Sequence, residues 1–207
     1  METQVYKRRG IVVLVLCAAV ASALGAVDYQ KEAKRLAPLL NWQPGNVVAD
    51  IGAGGGELTL AAAKRVGKTG RVYATELDAK KLAHLEELAA NTTNITVLRA
   101  GETQTNLPPT CCDSIFMRLV YHHLTKPAEV DASLFRSLKP GGLLGVIDEE
   151  PQPGSKMPAG VPENRGGHGV PEKIMIEEVT AAGFQVVKSF ENWPVQHYCV
   201  VFRKPTS

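Results

Sequence analysis

The sequence predicts an α/β fold, a mostly parallel sheet with one antiparallel edge. Three observations carry this. Short apolar runs alternate with amphipathic stretches along most of the chain. A glycine cluster stands where the first apolar run meets its helix. The last two apolar runs are separated only by Glu191-Asn192-Trp193-Pro194, a hairpin-sized link that reverses one strand. The 207 residues suit one domain with a sizeable core. At 44% apolar and 21% charged, the chain is neither collagenous, disordered nor polytopic in a membrane.

The elements follow in order. Residues 28–41 read as an amphipathic helix with Ala33, Leu36, Leu39 and Leu40 on its apolar side. Residues 46–51 are a short buried strand, 52–56 a glycine loop, and 57–66 a helix that Gly67 stops. Residues 71–76 form a second strand. Asp78 caps the next helix, which carries Leu82, Leu85 and Leu88. Strands at 94–99 and 113–117 follow, the latter opening near Cys112. Residues 127–138 are a helix, Lys139-Pro140-Gly141-Gly142 a turn, and 143–148 a fifth strand. A Pro/Gly-rich connection spans 151–170, a length usual in lids and binding loops. A helix between Pro171 and Gly183 leads to strands at 184–190 and 195–202.

Residues 1–26 read as a signal peptide or signal anchor. Lys7-Arg8-Arg9 precedes an apolar run at 11–20, and Ala21-Ser22-Ala23 supplies an A-x-A cleavage site. An anchor is the other reading, because the apolar stretch reaches about 17 residues, the lower edge of a membrane span. The expectation is a domain at 27–207 exported to a periplasm or secreted if the leader is cleaved, and held at a membrane only through this segment otherwise. The 23 basic residues barely exceed the 21 acidic ones, and the excess vanishes once Lys7, Arg8 and Arg9 are set against Glu2 and left out. No electrostatic footprint for nucleic acid remains.

The stretch that carries chemistry is Val47-Val48-Ala49-Asp50-Ile51-Gly52-Ala53-Gly54-Gly55-Gly56-Glu57. Its glycines let a ligand approach the backbone at a helix N-terminus. A dinucleotide site places its third glycine five residues after the first. Here the spacing is G-x-G-x-G, and Glu57 puts a carboxylate where a diphosphate needs positive charge. Asp50 adds to it. The loop is built for a ligand with cationic groups. Glu76, ending the second strand, offers a carboxylate to ribose hydroxyls.

With these residues in place, everything after the leader resembles the class I S-adenosylmethionine-dependent methyltransferases. Asp50-Ile51-Gly52-Ala53-Gly54-Gly55-Gly56 matches the family's first motif and Thr75-Glu76-Leu77-Asp78 its second. Asp113-Ser114-Ile115-Phe116-Met117, Tyr121-His122-His123-Leu124 and Leu138-Lys139-Pro140-Gly141-Gly142 are similar to its fourth strand, the segment after it and the turn before the fifth. Ala181-Ala182-Gly183-Phe184 is similar to the segment before its terminal strands. Glu102 stands where the family usually has Asp. The tail, including Arg165-Gly166-Gly167-His168-Gly169, is similar to exported bacterial members of unassigned substrate. The resemblance implies a Rossmann-like sheet of seven strands in the order 3-2-1-4-5-7-6, the last antiparallel, with helices on both faces. It implies S-adenosylmethionine as cofactor, held by Asp50, Gly52, Ala53, Gly54, Glu76, Leu77, Glu102 and Arg118.

The activity expected is methyl transfer to a small-molecule acceptor. A sulfonium is already an activated electrophile, so positioning carries much of the catalysis and no obligatory base motif is expected. His122 is the first candidate base, because imidazole titrates near working pH. His168 is the second, and Tyr121 is a candidate to orient the acceptor. Asp148, Glu149 and Glu150 read as ordinary carboxylates, since three consecutive residues do not converge on one ion. No cysteine or histidine spacing suggests a metal. Rival readings are a non-catalytic cofactor-binding or interaction protein on the same scaffold and a nicotinamide-dependent oxidoreductase.

Overall fold

The computed structural model describes residues 28–206. The predicted leader therefore lies outside the described residues. Among the described residues, no helix is long and apolar enough to cross a membrane.

The chain runs α1 (Tyr29–Leu39), β1 (Val47–Ile51), α2 (Glu57–Val66), β2 (Arg71–Glu76), α3 (Ala79–Ala90), β3 (Ile95–Arg99) and β4 (Cys112–Arg118). It continues through a 3₁₀ turn (Tyr121–His123), α4 (Pro127–Ser137), β5 (Leu138–Glu149), a 3₁₀ turn (Glu163–Arg165) and α5 (Glu172–Ala181). β6 (Gln185–Trp193), a 3₁₀ turn (Pro194–Gln196) and β7 (His197–Arg203) close the chain. One seven-stranded sheet has the order β3-β2-β1-β4-β5-β7-β6. The first five strands are parallel, and β7 pairs antiparallel with both β5 and β6. This is the predicted order.

Both faces of the sheet are covered, as burial of apolar parallel strands requires. Leu36 and Leu40, Ala62 and Val66 of α2, and Leu85 of α3 pack with Val48, Val72 and Phe116 on one face. Leu134 of α4 and Met175 and Val179 of α5 pack with Ile115, Leu144 and Val200 on the other. Asp28 caps α1 by accepting the Lys31 N–H at 2.9 Å, and Asp78 caps α3 by accepting those of Lys80 and Lys81.

Two boundaries move from expectation. The predicted turn at 139–142 is taken into the start of β5, beside a register shift between Cys112 and Ser114. The chain end holds it there: the Gly141 N–H donates to the Lys204 carbonyl and the Lys204 N–H to that of Gly142. The hairpin link also lies later, at 194–196. Trp193 stays in β6 opposite His197 because its buried indole N–H donates to Glu32 at 2.7 Å. Cys111, Cys112 and Cys199 are free thiols, with no bridge among them.

Candidate cofactor and acceptor site

The parallel strands β1, β2, β4 and β5 end on one edge of the sheet, where ligands of open α/β folds bind. A cavity of about 480 Å³ opens there. That is within the ~300–1,000 Å³ usual for small-molecule sites. Gly52, Gly54, Glu76, Leu77, Glu102 and Arg118 of the predicted set line it.

Gly52 turns the chain out of β1 at φ +66°. A Cβ there would stand 2.6 Å from Val120 Cγ2, so only glycine lets the loop lie flat against the β4 end. Gly56 opens α2 at φ +82°, where a Cβ would meet Leu88 Cδ1 at 2.7 Å. The Glu57 carboxylate folds back over Gly55, leaving negative charge at the helix start. This is the arrangement that disfavours a diphosphate.

Glu76 is the most heavily used acceptor of the site. Its Oε1 accepts the N–H groups of Leu77 at 2.8 Å and Asp78 at 3.1 Å, and its Oε2 accepts that of Gly54 at 3.1 Å. A carboxylate has about four acceptor positions. One remains on Oε2 for a ligand hydroxyl. A second hydroxyl would have to displace the Gly54 N–H.

Asp50 and Ala53 do not face the cavity. Asp50 is buried behind the loop, where Oδ2 accepts the Thr59 hydroxyl at 2.6 Å. Burial pushes its pKa from 3.8 up to about 7, against the lowering effect of the Thr59 hydrogen bond, and the nearby Glu76 and Glu57 carboxylates push it further. Near neutrality Asp50 is thus partly protonated, and the negative charge expected of it falls chiefly to Glu57 and Glu76. The Ala53 N–H donates to the Thr75 carbonyl at 3.0 Å, which seats the loop on β2. Arg118 reaches the cavity wall but is already paired, its Nε donating to Glu32 Oε2 at 2.8 Å.

The acceptor-side candidates separate. Leu119 adopts φ +54° at the end of β4, a left-handed conformation rare for leucine, and lines the cavity. Its N–H donates to the Ile147 carbonyl at 2.8 Å, so the sheet holds the kink. The kink and the turn after it send Tyr121 and His122 inward and His123 to the cavity wall. Tyr121 is fully buried, its hydroxyl donating to Asp131 Oδ2 at 2.7 Å. It fills the core beneath the site instead of meeting an acceptor. His122 is also buried, with Nδ1 2.6 Å from Asp148 Oδ1. His168 lies half-exposed on the 151–170 loop against Glu149. The residue that faces the cavity is His123, not His122, the first candidate base of the sequence reading, which is turned into the interior. Burial holds its pKa below the usual histidine value, and His122 and His168 lower it further.

The long loop is not structureless. Arg165, fully buried, donates through Nη2 to Glu178 at 2.8 Å and pins the loop onto α5. Near its ends the Gln152 N–H donates to the His168 carbonyl, and the Val170 N–H to that of Glu149.

Strand order, glycine loop and the carboxylate ending β2 define the class I methyltransferase architecture. Residues 49–146 match the family described as "Methyltransferase domain". The ubiquinone/menaquinone biosynthesis C-methyltransferase of Hydrogenovibrio crunogenus is 31% identical over 109 residues, 51% of this chain and 43% of that protein. The chain thus spans less than half the length of the curated relative it matches. Among solved structures, a SAM-dependent methyltransferase from Aquifex aeolicus superposes with a TM-score of 0.70 at 22% identity, over 84% of this chain and 89% of that one. The [4+2]-cyclase SpnF superposes at 0.69 and 15% identity, over 86% and 82%. The chain thus has the fold of the class I S-adenosylmethionine-dependent methyltransferases, and just under half of its length is similar to a methyltransferase family.

Proposed function

We propose that this protein transfers the methyl group of S-adenosylmethionine to a small-molecule acceptor, with both bound in the 480 Å³ cavity. The observation that carries this is Glu76. It lines the cavity with one acceptor position left beyond its three backbone donors, beside a glycine loop that a Cβ would block. The adenosyl end lies over Gly52, Gly54 and Glu76, and the ribose hydroxyl takes the open site on Oε2. The sulfonium is attracted by the Glu57 and Glu76 carboxylates. Asp50 becomes more fully ionised as the cation arrives.

The acceptor enters from the side of His123, Leu124 and Thr125, which complete the wall. A lone pair on the acceptor attacks the methyl carbon in line, and the carbon–sulfur bond breaks. Sulfur leaves as the thioether of S-adenosylhomocysteine. Holding the two reactants in that line supplies several kcal/mol, up to ~7–11 in ideal cases. An acceptor that must lose a proton finds the imidazole of His123 at the wall.

The acceptor itself is not carried over from the quinone-pathway relatives. The family match ends at residue 146, before the 151–170 loop that brings His168 to this edge. Residues 1–26 direct the domain to export or hold it at a membrane. Because an exported domain meets little S-adenosylmethionine, a cofactor-binding protein without turnover is the second reading.

Calorimetry of the full chain with S-adenosylhomocysteine and with NAD(H) tests the assignment. Saturable binding of the former and none of the latter is expected. No binding of either by the folded protein would overturn it. Mass spectrometry for methylated acceptor and released S-adenosylhomocysteine separates the two readings.

A further inference from the structure

Three histidines meet beside the ends of β4 and β5. His122 and His123 come from the 3₁₀ turn and His168 from the distant loop. Their ring centroids are 4.1, 4.6 and 5.5 Å apart. Each ring offers one nitrogen, and the three nitrogens lie within 4.8 Å of one another.

The polar bookkeeping of this cluster is unusual. His122 Nδ1 lies 2.6 Å from Asp148 Oδ1. An ionised carboxylate only accepts, so this nitrogen carries the proton and Nε2 presents a lone pair. That Nε2 is buried and has no hydrogen-bond partner. Leaving such a buried acceptor unpaired is unfavourable, because its desolvation is not repaid. His168 repeats the pattern, with Nδ1 3.2 Å from Glu149 Oε1. Asp148 is itself fixed: the backbone N–H of His122 donates to its Oδ2 and that of Glu149 to its Oδ1. Successive carboxylates at the end of β5 thus orient two imidazoles with the same tautomer. Metal-bound histidines are held in this way, the far N–H donated to a carboxylate.

We propose that His122, His123 and His168 form a binding site for a divalent transition-metal ion of the zinc type, with Asp148 and Glu149 as the outer carboxylates. The donor set selects the metal. Three imidazoles suit Zn²⁺, Co²⁺, Ni²⁺ or Cu²⁺, whereas Mg²⁺ and Ca²⁺ prefer oxygen. The nitrogens of a tetrahedral zinc site stand ~3.3 Å apart at Zn–N distances of ~2.0–2.1 Å, so the rings must draw together by up to ~1.5 Å. His123 and His168 are the rings with room to move, the first exposed and the second half-exposed on its loop, while His122 is buried. Three protein ligands leave a fourth position open, as in catalytic zinc sites.

Because His123 also lines the cavity, the ion stands at its edge. Metal binding converts His123 from a proton acceptor to a ligand. An acceptor hydroxyl or thiol bound at the fourth position then loses its proton to water under the ion's Lewis acidity. The metal site stands independently of whether the cavity takes S-adenosylmethionine.

The test uses the untagged full chain, stripped with chelator and titrated with Co²⁺. Visible ligand-field absorption reports coordination, and Zn²⁺ competition reports affinity. One ion per chain with a tetrahedral-type spectrum is expected. His168→Ala should weaken binding at least ~10-fold, and Glu149→Gln by ~10–100-fold, with circular dichroism unchanged. Both changes lie at partly exposed side chains, which keeps the folded state available for comparison. No stoichiometric ion on the folded wild-type protein would overturn the proposal. So would binding that His168→Ala leaves undiminished.

Discussion

Glu76→Gln tests the cofactor assignment most sharply, because the structure dictates how the new amide must lie. Two N–H groups, of Leu77 and Asp78, converge on Oε1. The glutamine carbonyl therefore stays there, and the NH₂ group takes the place of Oε2. It then faces the Gly54 N–H, donor against donor, where the carboxylate accepted at 3.1 Å. The ligand hydroxyl loses its charged acceptor at the same time. A hydrogen bond to a charged group contributes roughly 1.5–3 kcal/mol, a neutral one about 0.5–1.5. At about 1.4 kcal/mol per tenfold, loss of the hydrogen bond to the charged acceptor weakens binding by roughly 10–100-fold, while the unpaired Gly54 N–H lowers the stability of the variant. Calorimetry with S-adenosylhomocysteine on wild-type and variant protein measures this, with thermal melts as the control for folding. A folded variant that binds as tightly as the wild type would refute the placement of the ribose at Oε2.

Other expectations follow from the buried polar groups. Asp50 rises from 3.8 to about 7 on folding. The folded state thus binds its proton more tightly, and the associated stability is full below pH ~4 and lost as pH rises toward 7, by up to about 4 kcal/mol. Asp131, raised to about 7 mainly by burial, has the same sign. Urea midpoints at pH 5 and 8 should therefore fall less in Asp50→Asn than in the wild type, and equal falls would count against it. Arg118→Ala leaves the buried Glu32 with only the Trp193 indole N–H. It should cost about 3–5 kcal/mol in denaturant unfolding, and a loss below about 1 kcal/mol would contradict the buried pair. Tyr121→Phe removes the hydroxyl bonded to Asp131 at 2.7 Å. It should lower stability by about 1–3 kcal/mol and leave S-adenosylhomocysteine affinity within about twofold. A selective loss of affinity would return Tyr121 to the cavity.

Much of this protein is written locally. Apolar runs alternating with helical stretches, Asp78 before α3, and Gly67 and Gly183 after their helices each act over a few residues, so the elements are legible to within a residue or three, the start of β5 excepted. The glycine loop and Glu76 are legible for the same reason: the turn, the close approach and the strand-end carboxylate are properties of short segments. What the tertiary structure alone decided is the direction of side chains after β4 and the company they keep. Leucine carries no signal for a left-handed backbone, yet Leu119 adopts one, held by the Ile147 carbonyl, and His123 rather than His122 reaches the cavity. Arg165 becomes a buried anchor because Glu178 on α5 meets it. His168 joins His122 and His123 because the loop between β5 and α5 folds back across the sheet edge. Such meetings depend on closing long stretches of chain, and no window of sequence contains both partners.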